Sequence, residues 1–278
     1  MKLILLTGAT GFVGGAILKT LISQRFHVRV ILRKGSEHLI ETSPYIESLV
    51  STKDMFSEDE DWWKDACSNI DTIIHAAWYA KPSKYLQSRK NINCLIGTIS
   101  MAMGAIKSDV RRFVGIGTCF EYDVKAGFLS IDTPLRPSTL YAASKVAAYN
   151  MLTHLFLSHG IEFLWCRLFY LYGEGEDSKR LYSYIHKQLA ANEKVKLTSG
   201  NQVRDYLSVK EASEEIVHLS IGQDQGPINI CSGIPVTVRS FAEKIASQYN
   251  RLDLLEFNAR PNNLTDPICV VGIKKNEA

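Results

Sequence analysis

The sequence predicts an α/β fold, a doubly wound parallel sheet with a smaller C-terminal α/β lobe. Three observations carry that prediction. A short apolar run at residues 2–7 passes into a glycine-rich turn and then an amphipathic stretch to about Arg25. Further β-branched runs recur at 28–32, 72–77, 112–118 and 161–168, with helix-period segments between most of them. Buried parallel strands read as such continuous apolar runs, and their alternation with helices builds βαβ units. Finally, 278 residues suffice for one large domain or two unequal ones.

Bulk properties exclude several classes. A net charge of +3 without any Lys/Arg block gives no footprint for nucleic acid. No apolar run approaches the ~20 residues that span a bilayer. The N-terminus lacks a signal-peptide pattern, and the six cysteines (Cys67, Cys94, Cys119, Cys166, Cys231, Cys269) show no metal-ligand spacing. The expectation is a cytoplasmic protein with reduced thiols, no metal and no membrane partner.

The N-terminal turn is Gly8-Ala9-Thr10-Gly11-Phe12-Val13-Gly14. A strand, a glycine turn and a helix in that order make an anion site. Gly8 allows the tight turn, Gly11 lets backbone N–H groups approach a pyrophosphate, and Gly14 lets helix and strand pack closely. Thr10, Phe12 and Val13 complete this cofactor-binding turn of a Rossmann domain. After the second strand come Arg33 and Lys34, where NAD enzymes generally place an acidic residue for the ribose 2′-hydroxyl. A cation there suits the 2′-phosphate of NADP. NADP(H) is therefore the preferred cofactor, with NAD(H) as the alternative and a pair of solvated cations as the bland reading.

A third strand is placed at 46–51, followed by Asp54 where the adenine edge is met. Residues 58–67 read as an acidic surface helix carrying Trp62 and Trp63. The strand at 72–77 ends in Ala76 and Ala77, small enough to leave room for the cofactor ribose and nicotinamide, and His75 reads as a packed core histidine. A long helix is expected over 85–107, with Asn93 on it as a candidate to hydrogen-bond backbone near the site.

The strand at 112–118 ends in Thr118, at the edge of the sheet where ligands bind in such folds. A helix over 141–157 opens on Tyr141-Ala142-Ala143-Ser144-Lys145. Residues four apart project from one helix face. A nearby ammonium favours the phenolate, so Lys145 is expected to lower the pKa of Tyr141 and make it a proton donor or acceptor for a carbonyl/alcohol couple. Thr118 would hydrogen-bond the same substrate oxygen. The spacing also occurs on ordinary solvated helices, and it gains meaning from the glycine turn and Thr118.

Together these residues resemble the extended short-chain dehydrogenase/reductase family of nucleotide-sugar epimerases, dehydratases and reductases. The resemblance covers almost the whole chain. It rests on Thr7-Gly8-x-x-Gly11-x-x-Gly14, His75-Ala76-Ala77, Thr118, Tyr141-x-x-x-Lys145, Arg167 to Gly173 and Arg204-Asp205-Tyr206. It implies catalysis by Thr118, Tyr141 and Lys145, with Lys145 also on the cofactor ribose, and a nucleoside-diphosphate sugar in the C-terminal lobe. It also implies a homodimer formed through the 85–107 and 141–157 helices. His75-Ala-Ala-Trp78-Tyr79-Ala, Gly117-Thr-Cys-Phe-Glu-Tyr122 and Ser199-Gly-Asn-Gln-Val-Arg204-Asp-Tyr are similar to the dTDP-6-deoxy-L-talose 4-dehydrogenase group. That likeness implies NADPH-dependent reduction of an NDP-4-keto-6-deoxyhexose at C4, in deoxysugar biosynthesis for surface polysaccharide.

On this reading residues 1–168, with 203–230 returning, form the NADP-binding domain. Residues 169–202 and 231–278 form the nucleotide-sugar lobe, with helices at 178–192 and 238–249. Trp78, Cys119, Phe120, Tyr170, Arg204 and Arg260 are the substrate-binding candidates. Arg204 is the expected phosphate clamp, because a guanidinium fork matches two phosphate oxygens. Relatives usually carry asparagine where Tyr170 stands, so Tyr170 either meets the sugar or packs. Asp205 reads as structural, and the end of the tail after Ile268 is expected to fray. A 4,6-dehydratase needs an acidic pair directly after the threonine, and Cys119-Phe120 cannot supply it. A 4-epimerase and a non-catalytic NADP(H)-sensing regulator are the remaining rivals.

Overall fold

The buried runs assemble as one parallel sheet in the computed structural model, which describes residues 2–263 and 266–274. The first half runs β1 (Leu3–Thr7), α1 (Phe12–Ser23), β2 (His27–Arg33), β3 (Ile46–Thr52), α2 (Glu60–Ala66), β4 (Thr72–His75), α3 (Lys90–Lys107), β5 (Arg112–Thr118), β6 (Phe128–Leu129) and α4 (Leu140–His159). The second half runs β7 (Glu162–Leu168), β8 (Tyr170–Tyr172), α5 (Leu181–Ala190), β9 (Val195–Lys196), β10 (Val203–Ser208) and α6 (Val209–Ile221). It closes with β11 (Gly226–Ile230), β12 (Pro235–Thr237), α7 (Val238–Gln248), β13 (Leu255–Glu256) and β14 (Cys269–Gly272).

Seven strands pair in the order β11-β7-β5-β4-β1-β2-β3, all parallel. Helices α1 and α6 bury Ile17, Leu21, Ile216 and Val217 against one face, while α2, α3 and α4 bury Trp63, Met101, Leu152 and Phe156 against the other. The fold is therefore α/β and doubly wound, as expected. Chain order reverses between β1 and β4, and a crevice opens there at the carboxyl ends of the strands. Trp62 and Trp63 divide, since Trp63 is fully buried rather than on the surface.

A second sheet runs β12-β10-β14-β6, with β8 also paired to β10, and β9 pairs β13 separately. Strand β10, which the sequence groups with the returning segment, belongs to this second sheet. The return to the large sheet comes with α6 and β11. Strand β14 was not foreseen. It is four residues long and follows an irregular stretch, so it carries no period of its own. The frayed end expected beyond it lies outside the described residues. Helix α3 starts at Lys90 rather than at 85, because residues 85–88 turn to meet the next helix, with the Leu86 carbonyl accepting the Tyr141 N–H at 2.9 Å.

Candidate active site

The crevice is a cavity of about 930 Å³ bounded by the glycine turn, the ends of β4, β5 and β7, the start of α4 and the segment leading into α5. Gly8 takes φ +77°, a conformation an L side chain rarely adopts, and a Cβ there would lie 2.7 Å from the Ala77 nitrogen. At Gly14 a Cβ would lie 2.1 Å from the Gly8 carbonyl oxygen, so only glycine lets α1 sit this close to β1. Helix α1 starts after Gly11 with no side-chain cap, leaving first-turn N–H groups for an anion.

Most of the residues singled out by sequence line this cavity: Gly8, Thr10, Gly11, Phe12, Val13, Gly14, Arg33, Asp54, Ala76, Ala77, Trp78, Thr118, Cys119, Phe120, Tyr141, Lys145 and Tyr170. Lys34 does not. Strand β2 ends at Arg33, which lines the cleft, whereas Lys34 already lies in the turn that follows and is exposed away from it. Arg204 is absent as well. It is 3% exposed, paired with Asp266 at 2.7 Å and stacked 5.1 Å from the Tyr170 ring. A buried guanidinium needs a counter-ion, and the expected phosphate clamp already has one. Arg260 lines an adjoining cavity of about 440 Å³, lying over the Tyr184 ring at 4.6 Å, and Lys179 lines both spaces. Asp54 caps its own short turn, accepting from the Phe56 N–H.

Lys145 is buried, its ammonium donating to the Ile116 carbonyl at 2.6 Å and sitting 3.7 Å from the centre of the Trp78 ring. Burial pulls it down to about 7, opposed by the carboxylate of Glu121. The phenol of Tyr141 departs from expectation. Burial pushes it well above the usual tyrosine range, the neighbouring Tyr85 and Glu121 push the same way, and the Thr118 hydroxyl pulls back. The expected lowering by Lys145 does not emerge, and burial dominates. The rings of Tyr85 and Tyr141 meet edge to face at 4.8 Å.

Glu121 and Arg167 form a buried pair at 2.7 Å behind Thr118, and the Glu121 carboxylate also accepts the Thr118 N–H at 2.8 Å and the Trp165 indole N–H. Burial pushes the Cys119 thiol up to about 12. His75 is a core histidine, its ring nitrogens bonded to the Thr7 and Thr98 hydroxyls. Asp205 ties Ser232, Gly233 and Gly272 together and is structural.

Sequence reasoning missed Ser36, Phe56, Tyr85 and Arg180, all of which line the cavity. It also chose the wrong asparagine. Asn93 is exposed, whereas Asn91 is buried and donates to the Tyr85 and Ser88 carbonyls. A signal was present, since Asn91 lies on the stripe Asn91-Cys94-Thr98-Met101-Ala105 that α3 buries, and Asn93 lies off it.

The family model of the NAD dependent epimerase/dehydratase family matches residues 4–231. The chain belongs to that family. Among curated relatives, dTDP-6-deoxy-L-talose 4-dehydrogenase (NAD(+)) of Aggregatibacter actinomycetemcomitans is 23% identical, over 98% of this chain and 99% of its own. Among solved structures, the UDP-N-acetylglucosamine 4-epimerase of Methanobrevibacter ruminantium M1 in complex with UDP-N-acetylmuramic acid superposes with a TM-score of 0.84 at 20% identity, covering 99% of this chain and 90% of that one. The Thermus thermophilus UDP-glucose 4-epimerase complexed with NAD gives 0.81 at 19% identity, over 99% and 91%. A nicotinamide dinucleotide fits this crevice, as the Gly8–Gly14 approach and the uncapped N-terminus of α1 are what a pyrophosphate requires. No helix among the described residues is long and apolar enough to cross a membrane.

Proposed function

We propose that the protein reduces the C4 ketone of a nucleoside-diphosphate 4-keto-6-deoxyhexose, with NADPH as the hydride donor. The observation that carries this reading is the convergence of Thr118, Tyr141 and Lys145 on one cavity beside the glycine turn. The bound cofactor would supply hydride, and the chain supplies orientation and a proton. Thr118 and Tyr141 hold the carbonyl oxygen, and Tyr141 gives up its proton as negative charge develops there. A phenol that burial keeps protonated suits the donor role of a reductase. Lys145 holds the cofactor ribose, and Arg33 with Ser36 meets the 2′-phosphate. The relative named for NAD(+) makes Arg33 the sole support for the NADP preference.

Dehydration across C5 and C6 lacks its acid. Cys119 and Phe120 cannot provide it, and the next carboxylate along the chain, Glu121, is committed to Arg167. Epimerisation uses the same three residues, and the two solved epimerases above keep that reading alive. The two part on stoichiometry. Reduction consumes one NADPH per sugar, and epimerisation consumes none. The test mixes the protein and NADPH or NADH with dTDP-, CDP-, GDP- and UDP-linked 4-keto-6-deoxy sugars, following absorbance and reading the product by NMR. Tyr141→Phe should slow turnover by roughly 10²–10⁴-fold with cofactor affinity retained, the scale of a lost general acid. Undiminished turnover would remove Tyr141 from the mechanism, and conversion without net NADPH loss would turn the reading to epimerase. A homodimer through α3 and α4 is supported by the exposed Ile92, Ile96, Met151 and Leu157, and light scattering gives its mass.

A further inference from the structure

We infer that Asn91 and Trp78 form a brace that positions both members of the Tyr141–Lys145 pair. The inference rests on the cofactor and proton roles proposed above for those two residues, and it gives Trp78 a different task from the substrate contact that its place in the sequence implied. Asn91 is 0% exposed and spends its amide in two directions. Its side-chain oxygen accepts the Trp78 indole N–H at 2.9 Å. Its side-chain nitrogen donates to the Tyr85 carbonyl at 2.6 Å and the Ser88 carbonyl at 2.9 Å.

The first arm ends at Lys145. The hydrogen bond fixes the rotation of the indole, and the ring then presents its face to the ammonium at 3.7 Å, with Phe56 edge-on to the ring at 6.4 Å. A cation over an indole face is attracted by the ring quadrupole, most strongly where water is excluded. Lys145 is 3% exposed and has no carboxylate within ion-pairing distance among the described residues. Besides that ring it faces the Ile116 carbonyl, the Trp165 ring farther off at 5.7 Å, the more distant Glu121 behind Thr118, Cys94 on α3 and His75 on β4.

The second arm ends at Tyr141. The 85–88 turn that Asn91 holds presents the Tyr85 ring to Tyr141, accepts the Tyr141 N–H on the Leu86 carbonyl and accepts the Leu140 N–H on the Gln87 side chain. One buried amide therefore sets the ring under the amine and the turn against the phenol. Neither Asn91 nor Trp78 has to touch a reacting atom, so both are positioning residues.

The test uses the full chain and two readouts, one of which needs no sugar. Titration with NADPH and with NADH, followed by fluorescence at several pH values, measures the cofactor site directly. Trp78→Leu should weaken binding of both by about tenfold and move the high-pH fall in affinity to lower pH, because the charged amine has lost the nearer of its two rings. Trp78→Phe, which keeps an aromatic face, should recover most of the loss. Asn91→Ser should behave like a milder Trp78→Leu, and it serves if the leucine variant fails to fold. In the reductase assay the losses should fall on kcat, with the sugar KM moving less than twofold. Folded Trp78→Leu and Asn91→Ser proteins that bind both cofactors within twofold of the parent would overturn the brace. So would a loss confined to sugar KM, which would make Trp78 a plain substrate contact. If no sugar is turned over by the parent, the reductase reading fails while the cofactor titration still decides the brace.

Discussion

Breaking the buried ion pair behind Thr118 has a well-defined expected outcome. Arg167 and Glu121 are 1% and 0% exposed, and Arg167 also donates to the Tyr122 hydroxyl at 3.0 Å while lying over the Tyr122 and Tyr149 rings. Glu121→Gln keeps the shape of the site but leaves the guanidinium charged, buried and without a counter-ion. Removing one partner of such a pair costs about 3–5 kcal/mol, out of the roughly 5–15 kcal/mol a native chain has. At about 2–4 °C per kcal/mol for chains near this size, Tm should fall by about 6–20 °C. The doubly neutral Glu121→Gln/Arg167→Met protein should recover most of that, since replacing both charges with packed neutral groups is often close to neutral. Thermal unfolding of the parent, Glu121→Gln, Arg167→Met and the double variant by circular dichroism completes the cycle. A fall below about 2 °C for Glu121→Gln, within the spread of an ordinary surface change, would refute the reasoning.

Burial holds the His75 imidazole neutral in the fold, down to about 3, with Lys145 pushing the same way. The unfolded chain takes up a proton near 6.5. His75 should therefore contribute full stability above that pH and lose it as pH falls toward about 3, at up to about 1.4 kcal/mol per pH unit. Urea unfolding from pH 7 to 4 should show this acid limb, and His75→Gln should flatten it. Arg33→Asp should shift preference from NADPH toward NADH by about 10–100-fold, the worth of a charge-assisted phosphate contact, read from the ratio of the two dissociation constants. Arg204 and Arg260 should part company. Arg204→Met should lower Tm by leaving Asp266 without its partner, whereas Arg260→Ala should raise the nucleotide-sugar KM with Tm nearly unchanged.

Much of the large domain was legible in sequence because its signals are local. Residues 2–7, 28–32, 112–118 and 161–168 are mostly apolar, broken only by isolated polar residues such as Arg29, Glu162 and Arg167, and that short apolar-rich run is the pattern a buried parallel strand leaves. The short strands of the second sheet were not legible. Strand β14 is four residues long and β6 is two, and each is stabilised by pairing with distant chain rather than by its own composition. The start of α3 moved for a related reason. Its helical period continues back to Tyr85, but the backbone of 85–88 found better partners in Asn91 and the first turn of α4.

Backbone constraints acting between near neighbours were written in the chain itself. The glycines of the 8–14 turn, the small Ala76-Ala77 step and the four-residue spacing of Tyr141 and Lys145 brought those groups to one cavity whatever the rest did. Charge and proton state were decided elsewhere. Arg204 is turned inward onto Asp266, and Arg33 and Lys34 parted because β2 ends at Arg33 and the chain turns at Lys34. Tyr141 stays protonated because burial dominates and its neighbours come from the end of β5, the residues after it and the 85–88 turn. A side chain's partners and its share of water belong to atoms far off in sequence, and only the folded chain brings them within reach.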